Sequence, residues 1–288
     1  MWQLSYNDNA SLYLIPTPIG NLEDITIRAV NVIRNVDVIF AEDTRVTYNL
    51  LCYLKISKKL ISLHEHNENV MKNRVLDYLK NGKSVGLVTD RGTPIISDPG
   101  YKTVKYITEH GFNVIALPGP CAFVSALVAS GISADNFVFV GFLESKKSKK
   151  KKQLENLQYY QETLIFYEAP HRILDTMKLI LEVFGDRYVS LSREISKKYE
   201  SIYRGYISDL IPTLIDVKGE FVIVVSGFEK SDEEFSEVDI FDKVSEYVEK
   251  GFSKKEAIKQ VSCDLNLRKN VVYDVYHSLL KDGDSLWS

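Results

Sequence analysis

Residues 38–51, VIFAEDTRVTYNLL, change character half-way. Val38, Ile39, Phe40 and Ala41 make an apolar run without polar alternation, the pattern of a strand buried on both faces. Glu42, Asp43, Thr44 and Arg45 follow without a break, and helical spacing begins. A strand that is apolar all round and runs straight into a helix belongs to a mostly parallel sheet covered by helices. What remains to be explained is why two acids and a base sit at its end.

The same alternation extends in both directions. The first half predicts strands at 12–15 (LYLI), 36–40 (VDVIF), 60–63 (LISL), 84–88 (SVGLV) and 113–117 (NVIAL). Between them Ile25, Ala29, Val32 and Val36 keep helical spacing, as do Met71, Val75, Tyr78 and Leu79. Asp98 followed by Pro99 reads as an N-cap with proline at the first helical position, and Gly111 as the stop. The second half predicts strands at 137–140, 163–167, 187–191 and 221–225, with Ile173, Met177, Ile180 and Phe184 striping a helix that ends at Gly185.

The expectation is an α/β protein of two domains, 1–118 and 119–228, with an acidic linker at 229–240 and a helical extension at 241–288. In that extension Ala257, Ile258, Val261 and Leu265 line one stripe and Val271, Val275 and Leu279 a second, an outline of helix-turn-helix type or a packing appendage.

Composition excludes several classes. Net charge is −3, so any polyanion must be met by a local patch rather than by the whole surface. Cys52, Cys121 and Cys263 are odd in number and far apart, which fits neither a disulfide framework nor a zinc site. None of the five histidines stands at metal-ligand spacing, so no metal is expected. The apolar runs are too short to span a bilayer and the start lacks a basic, then apolar, leader pattern. A cytoplasmic protein without membrane contact is the expectation.

In open α/β sheets ligands bind beyond the carboxyl ends of the strands. Five successive strand ends here carry polar or Pro/Gly-rich segments: PTPIGN (16–21), AEDTR (41–45), HEHNEN (64–69), TDRGTPIISDPG (89–100) and PGPCA (118–122). Each alone has a plainer reading. Pro and Gly punctuate turns, Glu42 or Asp43 can cap the next helix, and His64 or His66 can simply be hydrogen-bonded. Together on one rim they point to a site. No GxGxxG follows the first strand and no GxxxxGK[ST] occurs, so the common dinucleotide and P-loop signatures are missing.

In this order, LIPTPIGNLEDIT, AEDTR, TPIISDPGY, ALPGPCA, LIFYEAPHR, LSREISKKYE and GEFVIVV resemble the tetrapyrrole methylase superfamily. Within it they are similar to the branch that methylates the 2′-hydroxyl of a cytidine in the decoding region of 16S ribosomal RNA. The resemblance implies two α/β domains with S-adenosylmethionine in the cleft between them, a homodimer, and 16S ribosomal RNA or the small ribosomal subunit as partner. Cofactor contacts would then fall on Pro18, Ile19, Gly20, Asp90, Gly92, Thr93, Pro94, Ile96, Cys121, Ala122, Tyr167 and Glu168. Arg91 departs from the family, which usually has a small residue there. A guanidinium beside a sulfonium is unfavourable unless it points outward or pairs with Asp90 or Asp98.

Methylating a ribose hydroxyl asks for alignment and partial proton removal. Glu42 and Asp43 are the carboxylates expected to do this, with Arg45 holding a carboxylate or a phosphate, and His66 and Glu194 in reserve. RNA needs positive charge, and Lys146, Lys147, Lys149, Lys150, Lys151 and Lys152 supply a dense run, either as a solvated face or as a track for phosphates. Lys197, Lys198 and Arg204 are weaker candidates. Three other readings stay open: a methyltransferase for a tetrapyrrole or other small acceptor, a non-catalytic RNA-binding assembly factor, and a hydrolase using Glu42, Asp43 and His64.

Overall fold

The computed structural model describes every residue except Met1, Tyr6, Asp8, Asp216, 230–235, Asn266 and 285–288. The chain divides into two units. The first comprises Met1–Ser130, Leu191–Tyr203 and Gly219–Val222; the second comprises Gly131–Ser190, Arg204–Lys218 and Ile223–Ser288.

In the first unit, strands and helices alternate strictly: β1 (Ser11–Leu14), α1 (Ile27–Asn35), β2 (Val38–Ala41), α2 (Thr44–Tyr53), β3 (Leu60–Ser62), α3 (Glu68–Lys80), β4 (Val85–Val88), α4 (Tyr101–Glu109), β5 (Asn113–Ala116) and α5 (Ala122–Ser130). The strands form one sheet in the order β3-β2-β4-β1-β5, and the pairs β1–β4, β1–β5, β2–β3 and β2–β4 are parallel. Chain direction across the sheet follows from this order. From β1 to β2 to β3 the chain moves one way, and from β3 to β4 to β5 it moves back.

Right-handed crossovers then put α1 and α2 on one face and α3 and α4 on the other. The two cores are built accordingly. Ala29 and Ile33 of α1 and Leu51 of α2 pack with Ile15, Ile39 and Val88, whereas Val75, Leu76 and Leu79 of α3 and Ile107 of α4 pack with Leu12, Phe40 and Leu87. Neighbours along β2 thus serve opposite cores, which is why VIFA must be apolar at every position.

The helix starts follow local chemistry. Thr26 caps α1 by accepting from the Ala29 N–H at 3.0 Å, and Asp43 caps α2 by accepting from the Arg45 N–H at 2.8 Å. α4 differs from the sequence reading: it begins at Tyr101 after Gly100 (φ 127°), so Asp98 is not its cap. Buried Glu68 instead accepts from the backbone N–H (2.9 Å) and hydroxyl (3.2 Å) of Thr103, binding α3 to the first turn of α4.

The second unit contains β6 (Phe137–Phe142), α6 (Lys147–Leu157), β7 (Thr163–Glu168), α7 (Ile173–Phe184), β8 (Tyr188–Arg193), β9 (Ser201–Tyr206), α8 (Ile207–Leu210) and β10 (Phe221–Val225). The sheet order is β6-β7-β10-β8-β9, with β6 and β7 parallel. β8 from Leu191, β9 to Tyr203 and β10 to Val222 group with the first unit. β9 has no counterpart in the sequence reading, because SIYRGY is largely exposed and carries no apolar run.

The C-terminal region holds three helices: α9 (Glu237–Glu249), α10 (Lys254–Asp264) and α11 (Lys269–Asp284). The sequence stripes describe only the last two. Of the expected linker, residues 230–235 lie outside the described residues, and from Ser236 onward it is the capping box and start of α9. Ile240 and Val244 of α9, Ala257, Ile258 and Val261 of α10, and Val272 and Tyr276 of α11 share one core. The α11 face keeps Val275 of the expected stripe at its margin but centres on Val272 and Tyr276, with Val271 exposed. Among the described residues no helix is long and apolar enough to cross a membrane.

Phe40, on β2 between β3 and β4, is fully buried. Phe40→Ala is expected to cost about 3–5 kcal/mol of unfolding free energy, from lost transfer energy plus a residual cavity. Denaturant titration monitored by circular dichroism measures it, and a loss under about 1 kcal/mol would mean the site collapses freely.

Candidate active site

β1 and β4 lie side by side, but the chain leaving β1 crosses towards β2 while the chain leaving β4 crosses towards β5. Loops that diverge from adjacent parallel strands open a crevice at the carboxyl edge. The loop after β1 and the loop after β4 are held across that point by two backbone hydrogen bonds. Thr17 N–H donates to the Gly92 carbonyl at 2.9 Å, and Gly92 N–H donates to the Thr17 carbonyl at 3.0 Å. The loop after β5 joins them, the Thr93 hydroxyl donating to the Pro120 carbonyl at 3.0 Å.

Close backbone approach explains the small residues. Gly92 has φ 81°, in the left-handed region, and a Cβ there would lie 3.2 Å from Ile19. A Cβ on Gly119 would meet the Pro16 ring at 2.5 Å. Ile95 (φ 78°) and Ser97 (φ 63°) also adopt left-handed backbone, although β-branched isoleucine resists it. Of the residues expected to hold a cofactor, Pro18, Ile19, Gly20, Asp90, Gly92, Thr93, Pro94, Ile96, Cys121 and Ala122 thus lie on three loops of the first unit that are tied to one another. A cavity of about 340 Å3 is lined by Thr17, Pro18, Gly20, Leu22, Val46, Thr47, Asn49, Leu50, Thr89, Asp90, Arg91 and Lys197.

The acids of AEDTR are divided between two tasks. Asp43 caps α2 and clamps the Arg45 guanidinium, with Nη2 to Oδ2 at 2.6 Å. The guanidinium bonds and the backbone N–H hold the Asp43 carboxyl down at about 2. Glu42 is turned towards the next loop, where its Oε2 accepts from the Asp90 N–H at 3.3 Å, while Asp90 Oδ1 accepts from the Asp43 N–H at 3.0 Å. Burial raises both the Glu42 and the Asp90 carboxyls. Asp98, released from helix capping, completes the group: burial, then the charge of Glu42, pushes its carboxyl up to about 7. Sequence reasoning missed Asp98 here because Asp-Pro is the ordinary signal of a helix start.

His66 is exposed, and its ring stands edge to face with that of His64 at 5.9 Å. HEHNEN is mainly architectural. Asn67 accepts from the His64 N–H at 2.9 Å and donates to the Ser62 carbonyl at 3.2 Å, closing the turn into α3.

Arg91 pairs with neither Asp90 nor Asp98. Both oxygens of Glu220 take its Nη1 at 2.9 Å, and Glu220 also accepts from Lys197 Nζ at 2.9 Å. Lys197 reaches Glu194 at 2.8 Å as well. Glu194 and Lys197, reserve candidates for proton transfer and RNA contact, are therefore tied up in this ion-pair network, whose lysine lowers the Glu194 carboxyl.

In the second unit, Tyr167 packs edge-on against Phe139, with ring centroids 5.1 Å apart. Glu168 is buried and fully engaged: Lys150 Nζ at 3.4 Å, Thr176 hydroxyl at 2.6 Å, Arg172 Nε at 3.1 Å and its neighbouring Ala169 N–H at 2.9 Å. The carboxylate is a structural hub that ties α6 and α7 to the end of β7. The same bond corrects the lysine run. Lys150 is 5% exposed and locked beneath α6, and Lys151 pairs with Glu182, whereas Lys146, Lys147, Lys149 and Lys152 remain exposed. About two turns of helix cannot show six lysines to solvent when they pack one face on α7.

Do the first-unit loops suit a sulfonium cofactor? The carboxylates of Glu42, Asp90 and Asp98 gather at the strand ends, Pro18, Leu22, Val46 and Leu50 offer apolar wall, and the guanidinium of Arg91 is neutralised by Glu220. Of the three acids only Asp90 lines the cavity, and the two cations that line it, Arg91 and Lys197, are both paired with Glu220, so a cationic donor meets no unpaired positive charge there among the described residues. Among the described residues no group of His, Cys, Asp and Glu has the arrangement of a metal site.

Comparison with known proteins agrees. Residues 11–211 match the family model of Tetrapyrrole (Corrin/Porphyrin) Methylases. A Bacillus subtilis protein named ribosomal RNA small subunit methyltransferase I is 46% identical over 285 residues, covering 96% of this chain and 98% of its own. The protein of the same name from Halalkalibacterium halodurans is 43% identical over 277 residues, covering 94% and 96%. Among solved structures, uroporphyrin-III-C-methyltransferase from Thermus thermophilus superposes with a TM-score of 0.56 at 19% identity, covering 76% of this chain and 94% of that one, a likeness of fold.

The raised Asp98 carboxyl has a measurable consequence. Between its ordinary value of 3.8 and about 7 the folded protein keeps a proton that the unfolded chain has lost, so stability falls as pH rises through that window and is level above it. Asp98→Asn removes this dependence. The difference in unfolding free energy between variant and wild type should grow in favour of the variant from about pH 4 to about pH 7; a difference independent of pH would place the carboxyl near its ordinary value.

Proposed function

This chain belongs to the ribosomal RNA small subunit methyltransferase I family of the tetrapyrrole methylases, which use S-adenosylmethionine, and we propose that it methylates the 2′-hydroxyl of a cytidine in the decoding region of 16S ribosomal RNA. The observation that carries the chemistry is Glu42. It is a carboxylate raised by burial, held by one backbone N–H at the carboxyl edge of β2, beside the glycine-opened loops.

When bound, S-adenosylmethionine supplies an activated methyl group. The loops of the first unit at Pro18–Gly20, Asp90–Ile96 and Cys121–Ala122 would hold it. Oε2 of Glu42 is fixed by the Asp90 N–H, which leaves Oε1 to accept the proton of the ribose hydroxyl as the oxygen becomes a nucleophile. A base works best when its pKa approaches the working pH. Glu42 is shifted in that direction and Asp43, at about 2, in the other.

Asp43 and Arg45 therefore serve as a positioning pair: Asp43 caps α2 and orients the guanidinium, which is 88% exposed and free on its outer edge to meet a phosphate. His66 has no part in the proton transfer on this reading. The exposed lysines Lys146, Lys147, Lys149 and Lys152 give the local positive charge that the net −3 of the chain withholds elsewhere. The reading also includes a homodimer acting in the cytoplasm on RNA or on the small subunit.

Glu42→Gln is expected to lower methyl transfer by about 10²–10⁴-fold while S-adenosylmethionine affinity by calorimetry stays near wild type. Asp43→Asn should act mainly by loosening α2 and Arg45, with a smaller loss of rate. Near-normal transfer by Glu42→Gln would remove it as the base. Mapping 2′-O-methyl groups on small-subunit RNA from cells with and without the protein tests the acceptor directly; an unchanged map would refute the assignment.

A further inference from the structure

Resting on the reading as an RNA methyltransferase, we propose that a second site, in the second unit, seats one backbone phosphate of the acceptor RNA. It is a cavity of about 260 Å3 lined by Ser145, Lys147, Lys150, Arg172, Asp175, Lys178, Leu179 and Glu182. The cavity begins where β6 and β7 give way to α6 and α7, the carboxyl edge at which parallel sheets hold ligands, and extends along α7 as far as Glu182. Neither of those helices has a side-chain cap on its first turn.

Charge decides what the cavity accepts. Of the residues that line it, Lys147, Lys150, Arg172 and Lys178 are cationic and Asp175 and Glu182 anionic, an excess of two positive charges. The carboxylates are not evenly shared. Glu168, from beneath, takes both Lys150 and Arg172, and Lys151 takes Glu182 from outside the cavity. Arg172 is fixed further by donating from Nη2 to the Leu143 carbonyl at 2.6 Å. Lys147 and Lys178, both exposed and on different helices, face only Asp175 as a carboxylate without an ion pair among the described residues.

A seat with fixed cations at its floor and, at its rim, two ammonium groups that make no ion pair among the described residues suits an oxyanion, although the charge of Lys147 also acts on Glu182. S-adenosylmethionine carries no phosphate, so such a seat belongs to the acceptor and not to the donor. The lysine run thus divides: Lys150 is floor, Lys147 is rim, and Lys149 lies outside the cavity.

The test is RNA affinity across a salt series, with a single-stranded oligonucleotide of small-subunit sequence as probe. Lys178→Glu and Lys147→Glu should each weaken binding, and the double variant should make the slope of log K against log salt shallower by about 0.7, one phosphate contact on a single strand. S-adenosylmethionine affinity and thermal unfolding should stay as in wild type. Lys149→Glu, on the same helix but outside the cavity, should do less. An unchanged slope in the double variant overturns the seat, and so does an equal effect from Lys149→Glu, which would mean a diffuse field. Wild-type protein that binds S-adenosylmethionine but not the RNA would instead refute the RNA reading, and the seat with it.

Discussion

The first unit is organised by one constraint of parallel sheets: two adjacent strands, β1 and β4, whose outgoing chains must part. The parting leaves a gap that side chains of the cores do not fill, because α1 and α2 are committed to one face and α3 and α4 to the other. The loops that edge the gap are close enough to hydrogen-bond through Thr17 and Gly92, and that closeness requires glycine at 92 and 119. The rest of the site hangs on this frame, since Glu42, Asp90 and Asp98 are all presented from strand ends or loops that the frame fixes.

Gathering acids there has an electrostatic cost, and the surrounding residues decide who bears it. Asp43 escapes because Arg45 lies beside it in solvent. Glu42, Asp90 and Asp98 do not: desolvation is the largest cause for each, and mutual repulsion adds to it. Arg91 and Arg45 relieve Asp90 only by charge at a distance, because the guanidinium of Arg91 is bonded to Glu220 and that of Arg45 to Asp43. Adjacent acids in sequence, Glu42 and Asp43, end up with opposite shifts for reasons that lie in their neighbours alone.

In the second unit a buried ion pair plays the organising part. Lys150 and Glu168 join α6 to the end of β7, and Arg172 and Thr176 complete the bonding of the carboxylate. Burial lowers the Lys150 ammonium, opposed by Glu168. Losing one partner would strand the other without water, so the pair is costly to break even though forming it is worth little. Its consequence for function is indirect: it sets which lysines of α6 remain for solvent.

How much of this was legible before folding? Apolar runs such as VIFA and FVIVV, and the glycine stops at Gly111 and Gly185, determined the alternating α/β pattern and the helical tail. They did so because burial on both faces of a parallel strand is a local demand on composition. The segments at the strand ends were legible too, since a loop that is polar or rich in Pro and Gly is conspicuous after an apolar strand. β9 was not, because an exposed edge strand such as SIYRGY makes no such demand. What only the tertiary structure decided is partnership. Asp98 joined the acids instead of capping α4, Arg91 turned to a residue 129 positions away, and Lys150 went inside while its neighbours stayed out. A side chain's charge state and role depend on which distant groups share its few ångströms of low-dielectric space, and no local pattern along the chain encodes that.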